Sequence, residues 1–337
     1  MDRIYLLEQI DEAAVVQLYA DGFEALPTDQ KILIWHLSQA ALAGRDIYYD
    51  QRYRHNLEMR AILEGIVRAA NKEALALVPR DVIDEIRRYT KLFWINSGPY
   101  NNLTARKFVL KCSFEDLLAV ASEAKKAGTI ALDDQALVDT LERLRSAFFE
   151  ATHEPLVTNK TPGESRDILE DSANNLYRGV TMADLTGLDE RYGLNSRLVK
   201  TGDGRLEEEI YRVGGKYGPQ IEAICRHLTA ALPYATPAMR RALEALIKFY
   251  DSGEDSDRVA YDIAWVEDKD SPVDTINGFI ENYMDARGVK GAWEALVFYV
   301  NPGKTAGIQR LAESAQWFED RMPWDAKWRR PSVKGVT

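Results

Sequence analysis

The chain of 337 residues is 46% hydrophobic and 28% charged, a composition typical of a globular protein with about two domains. Its net charge of −10 argues against a nucleic-acid backbone or an anionic membrane surface as the main partner. No apolar run approaches the ~18 residues needed to span a bilayer, and the N-terminal MDRIYLLEQIDEAAVV lacks the cationic and apolar blocks of a signal peptide. Cys112 and Cys225 are isolated in the sequence, so we expect a reduced compartment and a cytoplasmic location.

The first 150 residues are predicted to be helical, because their apolar residues recur at helical spacing. Thr28 is a capping-type residue ahead of one such run, and Pro79 suits the first turn of another. Ser113 is followed three residues later by Asp116, which is a variant of the capping box. Gly128 then ends the helix that Ser113 begins.

The pattern changes after this helical part. THEPLVTNKTPGES reads as a loop, and two short extended segments flank residues 202–204, whose Gly-Asp-Gly sequence is a hairpin signal. Helices return at GPQIEAICRHLTAAL and TPAMRRALEALIKFY, the second with Thr236 and Pro237 in cap and first-turn positions. The sequence thus predicts a predominantly helical α+β fold, with a helical subdomain at 1–155 and a mixed α/β subdomain at 156–337.

The segment TINGFIENYMDARGVKGAWEALVFYV, residues 275–300, has the apolar content of a buried strand pair, yet it contains Glu281 and Tyr283. Alternate side chains of a strand share a face, so Asn277, Glu281 and Tyr283 are predicted to project from one side. The Cα atoms of Glu281 and Tyr283 would then lie roughly 6–7 Å apart. Such a face can line a cleft, with a carboxylate for a cation and a phenol to donate to an oxygen. The same pattern fits an edge strand with a solvated polar face, and spacing alone does not decide between them.

Common motifs for metal and nucleotide chemistry are absent from the sequence. It contains no HExxH, P-loop, dinucleotide glycine fingerprint or G-x-S-x-G elbow, and its four histidines show no ligand spacing, so no cofactor and no metal ligand is assigned to this chain. A second unusual segment is FWINSGPYNNLTARKF, residues 93–108, in which a helix end leads into a Gly-Pro turn and then Tyr100. Turn chemistry alone explains Gly98 and Pro99, but binding loops are built in the same way.

These two unusual segments resemble the dipeptidyl peptidase III family of zinc metallopeptidases. The run NSGPYNNLTARKF at 96–108 is similar to the family's N-x-G-x-Y…K-F segment, and AWVEDKDSPVDTINGFIENYMDARGVKGAWEALV at 264–297 is the most specific match. SANNLYRG, LNSRLVK and SAQWFEDRMPW resemble further family segments in the same order. The resemblance extends from about residue 90 to the end of the chain.

The resemblance implies a cleft that binds short peptides with a free N-terminus, from which the family releases dipeptides. In the family, the residue matching Glu281 binds the peptide's amino group, which needs a partly desolvated carboxylate. The residue matching Tyr283 donates a hydrogen bond to the carbonyl oxygen as it becomes an oxyanion. The other substrate-binding residues that these motifs imply are Asn96, Gly98, Tyr100 and Asn277.

The sequence departs from the family in lacking its HExxGH zinc helix and its later glutamate-rich segment. We therefore expect the N-terminal, substrate-binding part of such a peptidase, without the catalytic zinc lobe and not catalytic by itself. The expected partners are short peptides and that missing lobe, and zinc is expected only in the complete enzyme. The alternative is a naturally short homologue that binds peptides or proteins without catalysis.

The resemblance also implies the architecture of the family's zinc-free lobe, in which the strands gather into one small mixed or antiparallel sheet or a partial β-barrel. Residues 287–291 supply a turn that favours an antiparallel pair on either side of it. Val333, Val336 and Thr337 read as the start of a further strand, which supports the expectation of a domain fragment. The strands are predicted at about 195–200, 207–213, 275–284 and 292–300.

Overall fold

The computed structural model describes residues 3–72, 74–76 and 78–334. The strand predicted at the end of the chain is not formed at Val333, which lies outside any strand. Val336 and Thr337 lie outside the described residues.

Local capping signals set several helix ends. The Ser113 hydroxyl accepts the N–H of Asp116, whose carboxylate accepts the N–H of Ser113, so the predicted capping box is present. Thr236 caps its helix with its hydroxyl, as predicted. Thr28, predicted as a cap, is already inside the helix that follows Pro27. The helices are α1 (Thr28–Ala43), α2 (Arg45–Arg52), α3 (Asn56–Asn71), α4 (Arg80–Asn96), α5 (Phe114–Lys126), α6 (Asp134–Arg143), α7 (Arg145–Phe149), α8 (Gly218–Ala231), α9 (Pro237–Ser252), α10 (Asp255–Glu267), α11 (Pro302–Glu313) and α12 (Ala315–Glu319).

The strands of the described residues form three small sheets. The first is an antiparallel hairpin, the second is a mixed three-stranded sheet in which β3 runs parallel to β4, and the third is an antiparallel hairpin. The strands are β1 (Leu6–Ile10) and β2 (Ala13–Val16), then β3 (Tyr177–Arg178), β4 (Ser196–Lys200) and β5 (Leu206–Ile210), and finally β6 (Val273–Glu281) and β7 (Ala292–Tyr299).

The α+β class with a predominance of helix is confirmed. The four predicted strands are present, and β6 and β7 pair antiparallel as expected from the turn between them. They are divided between two sheets rather than gathered in one, because β4 pairs with β3 and β5 whereas the β6–β7 hairpin packs on α1 and α2.

The N-terminal segment differs from the helical prediction, since β1 and β2 form a hairpin there. Asp11 lies between them with a φ of +51°, a left-handed conformation that lets the chain reverse in two residues. Ion pairs from Asp11 to Arg88 and from Glu8 to Lys91 fasten the hairpin onto α4. The hairpin therefore depends on contacts with distant residues that local periodicity does not report.

Two hydrophobic cores carry most of the buried side chains. The first packs α3, α4 and α5 around residues such as Leu63 and Phe93. The second joins α1, α8 and α9 to the β6–β7 hairpin around Leu37, Leu246 and Phe279. An N-terminal helix thus supports the hairpin that carries Glu281. The division of the chain into two subdomains near residue 155 stays a prediction.

Candidate functional site

Glu281 is the last residue of β6, and Tyr283 lies in the connection to β7. A β-bulge precedes them, because Phe279 pairs with Trp293 whereas Glu281, two residues on, pairs with Ala292. The extra residue reverses the alternation of faces, so Glu281 leaves the face that carries Phe279. The prediction that Glu281 and Tyr283 share one strand face is wrong for a separate reason: β6 ends at Glu281, and Tyr283 lies in the turn that follows.

Glu281 and Tyr283 nevertheless lie in the wall of the same open cavity, which has a volume of about 490 Å³. The cavity lies between the end of α1, α2, the residue after α4 and the start of β7. Both side chains are exposed, Tyr283 to 74%, so carboxylate and phenol are open to a ligand. Other wall residues include Arg45, Tyr48, Ser97 and Trp293.

The backbone of Gly44 lies directly against the indole ring of Trp293 in this wall. Gly44 separates α1 from α2, and a Cβ at this position would clash with the ring of Trp293. The glycine therefore allows the first residues of β7 to pack directly on the joint between the two helices.

A second carboxylate, that of Glu294 on β7, stands near Glu281. Glu294 pairs across the hairpin with Gly278, which has no side chain to cover it. Burial and, secondly, the charge of Glu281 raise the pKa of Glu294 above its usual 4.5. Two neighbouring carboxylates favour a bound cation, which relieves their mutual repulsion. Glu294 was not predicted as a site residue, although it is a lone acidic residue inside the apolar run of β7.

A second cavity, of about 400 Å³, lies between β6 and α10. Its wall is largely apolar and includes Phe249, Tyr261 and Trp265. Glu281 and Glu294 line this cavity as well as the first one. The two carboxylates therefore stand at the boundary between the cavities.

Tyr100 and Asn96, both predicted to bind substrate, point into the protein. Tyr100 is fully buried, and its hydroxyl donates to the backbone carbonyl of Glu154 at 2.9 Å. Burial holds the pKa of the Tyr100 phenol well above its usual value. The Asn96 side-chain oxygen accepts the N–H of Asn102 at 2.9 Å. In this structure both side chains hold the shape of the loop that follows α4.

Ser97 is the residue of this loop that lines the cavity with Glu281 and Tyr283. Gly98 follows it with a φ of +140°, a conformation that favours glycine. The loop is also tied to α2, because Arg52 Nη2 donates to the carbonyl of Tyr100 at 2.8 Å.

Asn277, the remaining predicted residue, contributes to the wall of the second cavity, but its side chain is fully buried. Its side-chain oxygen accepts a hydrogen bond from the hydroxyl of Tyr250. Its Nδ2 atom has no hydrogen-bond partner among the described residues. The structure thus brings Glu281 and Tyr283 together and leaves Asn277 in the packing beneath them.

No zinc site is formed by the part of the chain that the structure describes. Within residues 3–72, 74–76 and 78–334, no three histidine, cysteine, aspartate or glutamate side chains are grouped so that they could hold a metal ion. Within the same ranges, no helix combines the length and the apolar character required to cross a membrane.

Comparisons with known proteins agree on one group. Residues 193–334 match the model of Peptidase family M49. Dipeptidyl peptidase 3 of Rattus norvegicus is 25% identical over 90% of this chain, and that of Homo sapiens is 23% identical over 90%. Each of these alignments covers 46% of the relative, so the chain spans about half the length of these curated relatives. Dipeptidyl peptidase 3 of Dictyostelium discoideum is 31% identical over 38% of this chain and 18% of its own length.

Solved structures give the same fold. Dipeptidyl peptidase III from Caldithrix abyssi matches 92% of this chain and 47% of its own at a TM-score of 0.62 and 17% identity. The structure from Corallococcus sp. strain EGB matches 94% of this chain and 47% of its own at a TM-score of 0.59 and 18% identity. The chain is thus similar to Peptidase family M49 over residues 193–334 and to dipeptidyl peptidase 3 over most of its length. The predicted resemblance to dipeptidyl peptidase III is confirmed.

Proposed function

We propose that this chain is the substrate-binding portion of a zinc-dependent dipeptidyl aminopeptidase that acts in the cytoplasm and removes N-terminal dipeptides from short peptides. By itself the chain binds such peptides and does not cleave them. The observation that carries this proposal is the presence of the Glu281 carboxylate and the Tyr283 phenol in the wall of one open cavity.

The chemistry of these two groups matches the two ends of an N-terminal dipeptide unit. The Glu281 carboxylate binds the ammonium of the first residue, and Glu294 adds a second negative charge beside it. The Tyr283 hydroxyl donates to a carbonyl oxygen further along the peptide and gains strength as that oxygen becomes negative. Asn96, Gly98 and Tyr100 contribute by holding Ser97 at the wall, and Asn277 contributes by supporting β6 from beneath.

The zinc ion of the complete enzyme would be bound by a further lobe and not by this chain. The described residues do not fit a zinc ion, and the sequence contains no HExxGH. In the complete enzyme zinc would polarise the scissile carbonyl and activate water. The residues of this chain bind and orient the peptide.

Calorimetry of the chain with a tetrapeptide and with its N-acetylated form tests the proposal. Binding of the free peptide that is lost on acetylation is expected, because acetylation removes the ammonium. Glu281→Gln should weaken binding of the free peptide and abolish its advantage over the acetylated one. Glu207→Gln is the matched control, since Glu207 is an exposed strand carboxylate that lines neither cavity. No binding at millimolar peptide, or equal binding of both forms, would refute the proposal.

One surface favours a protein partner. On the outer face of the β6–β7 hairpin, Ile280, Leu296 and Phe298 are exposed to 41%, 57% and 43%. An exposed apolar sheet face of this kind is a packing surface. We assign it to the zinc-bearing lobe of the complete enzyme. The second candidate function, a short peptide- or protein-binding homologue, places another protein there. The downstream reading frame of the gene distinguishes the two, since an HExxGH supports the first.

A further inference from the structure

The connection between β6 and β7, residues 282–291, is organised around one buried carboxylate. Asp285 is fully buried. Its oxygens accept the backbone N–H groups of Arg287, Val289 and Lys290 at 2.9, 2.8 and 2.7 Å. Three backbone donors directed at one carboxylate fix the shape of the second half of the connection.

Asp285 also joins this connection to the neighbouring sheet. The hydroxyl of Tyr177, on β3, donates to Asp285 Oδ2 at 2.8 Å. Arg287 Nη1 donates to the same hydroxyl at 3.3 Å, and the guanidinium lies over the Tyr177 ring. The carboxylate therefore holds its own loop and anchors it to β3.

Two cations of the connection share a second, largely buried carboxylate, that of Glu190. The ammonium of Lys290, which is fully buried, lies 2.7 Å from Glu190 Oε2 and donates to Ser196 Oγ at 2.8 Å. Arg287 Nη2 lies 2.6 Å from the other oxygen of Glu190. The formal charges of the two cations are thus balanced by those of Glu190 and Asp285.

The first half of the connection is tied down on both sides of Tyr283. Asn282 Nδ2 donates to the carbonyl of Gly288 at 2.7 Å. The carbonyl of Met284 accepts hydrogen bonds from Thr158 Oγ1 at 2.6 Å and from Asn174 Nδ2 at 3.0 Å. The Tyr283 side chain is itself exposed, so its backbone is held while its phenol is left for a ligand.

We propose that Asp285 is a positioning residue for Tyr283: it fixes the loop from which the phenol reaches the peptide. A hydrogen-bond donor stabilises a developing charge best when it does not have to reorganise during the reaction. A rigid loop keeps the donor in place and so removes the need for reorganisation. This inference rests on the proposed function, because it assigns Tyr283 a ligand. The placement of the phenol by Asp285 is nevertheless testable in the free chain.

The test in the free chain is ¹⁹F NMR of 3-fluorotyrosine incorporated at position 283. We expect a single sharp resonance in the parent and a shifted, broadened or multiple resonance in Asp285→Asn, whose amide cannot accept all the hydrogen bonds of the carboxylate. Asp203→Asn is the matched control, because Asp203 accepts hydrogen bonds within the β4–β5 turn and lies outside the Tyr283 connection. Tyr177→Phe removes one hydrogen bond to Asp285 and serves if Asp285→Asn does not fold. An unchanged resonance in the folded variants overturns the proposal.

A double-mutant cycle tests the effect on the ligand. The probe is a tetrapeptide whose second peptide bond is replaced by a phosphinate, which presents a negative oxygen to Tyr283. Asp285→Asn should weaken its binding about tenfold, the usual effect of losing a hydrogen bond to a charged group. The same substitution should have no effect in a Tyr283→Phe background. Additive effects overturn the positioning role. If the parent binds neither the phosphinate nor the tetrapeptide, the proposed function is refuted. The NMR result then decides by itself whether Asp285 positions Tyr283.

Discussion

Gly98 packs against the side chain of Asn56 so closely that a Cβ on Gly98 would lie 2.6 Å from Asn56 Nδ2. That amide donates to the carbonyls of Tyr49 at 2.8 Å and Ser97 at 3.0 Å. Both carbonyls belong to residues that line the cavity with Glu281 and Tyr283. The glycine therefore permits a contact that holds two parts of the cavity wall together.

Gly98→Ala should lower the free energy of unfolding by about 1–3 kcal/mol, because it combines an unfavourable φ with displacement of Asn56. Urea unfolding measures the loss. Gly22→Ala is the control: Gly22 has a φ of +90° but no atom within 4 Å of the added Cβ, so it reports the backbone cost alone. Equal losses in the two variants would show that the contact with Asn56 contributes nothing.

Glu281→Gln and Tyr283→Phe should each change the free energy of unfolding by less than about 0.5 kcal/mol, because both side chains are exposed. Melting temperature and urea unfolding check this expectation. A clear loss of stability in either variant would assign that side chain a structural role and would make its binding data unusable as evidence for a site.

Ser113→Ala should destabilise the chain by about 1 kcal/mol, since it removes the hydroxyl that caps α5. The comparison is Ser122→Ala, which removes a hydroxyl bonded to the carbonyl of Leu118 within the same helix. Thermal unfolding of both variants should show the larger shift for Ser113. A larger effect at Ser122 would contradict the capping argument.

Stability should rise with pH above about 8 through Lys107. Burial lowers the pKa of this lysine from 10.5 to about 8, and its ammonium donates to the carbonyl of His153. Between these pH values the unfolded chain binds more protons than the folded one, so the free energy of unfolding increases with pH.

Lys107→Met should remove this contribution. Urea unfolding at pH 7.5 and 9.5 should therefore show a smaller rise, or a steeper fall, in the variant than in the parent. The exposed Lys160→Met serves as the control and should follow the parent. Identical pH dependence in Lys107→Met and the parent would contradict the lowered pKa.

The features that sequence predicted well are local ones. The capping box at Ser113, the cap at Thr236 and the hairpin at residues 202–204 depend on residues within a few positions of one another. The family motif, rather than periodicity, identified Glu281 and Tyr283 as site residues. The structure places both in the wall of one cavity.

The features that sequence missed depend on distant partners. The bulge before Glu281 is a property of its pairing with β7. The buried Tyr100 hydroxyl finds its acceptor 54 positions later, in the backbone carbonyl of Glu154. Glu294 approaches Glu281 only when the hairpin forms opposite Gly278. None of these relationships leaves a periodic signal in the sequence.

Gln51, in α2, is fully buried. Its side chain makes two hydrogen bonds with the backbone at the start of β7, as the backbone of a neighbouring strand would do. Its side chain donates to the carbonyl of Gly291 at 3.0 Å, across 240 positions, and accepts the N–H of Trp293 at 2.8 Å, across 242 positions. At a synthesis rate of about 5–20 residues per second, Gln51 leaves the ribosome on the order of tens of seconds before those partners do. A nascent chain can therefore pack α3 to α5 early. The cavity that holds Glu281 and Tyr283 forms only after β7, the last part of its wall, has been synthesised.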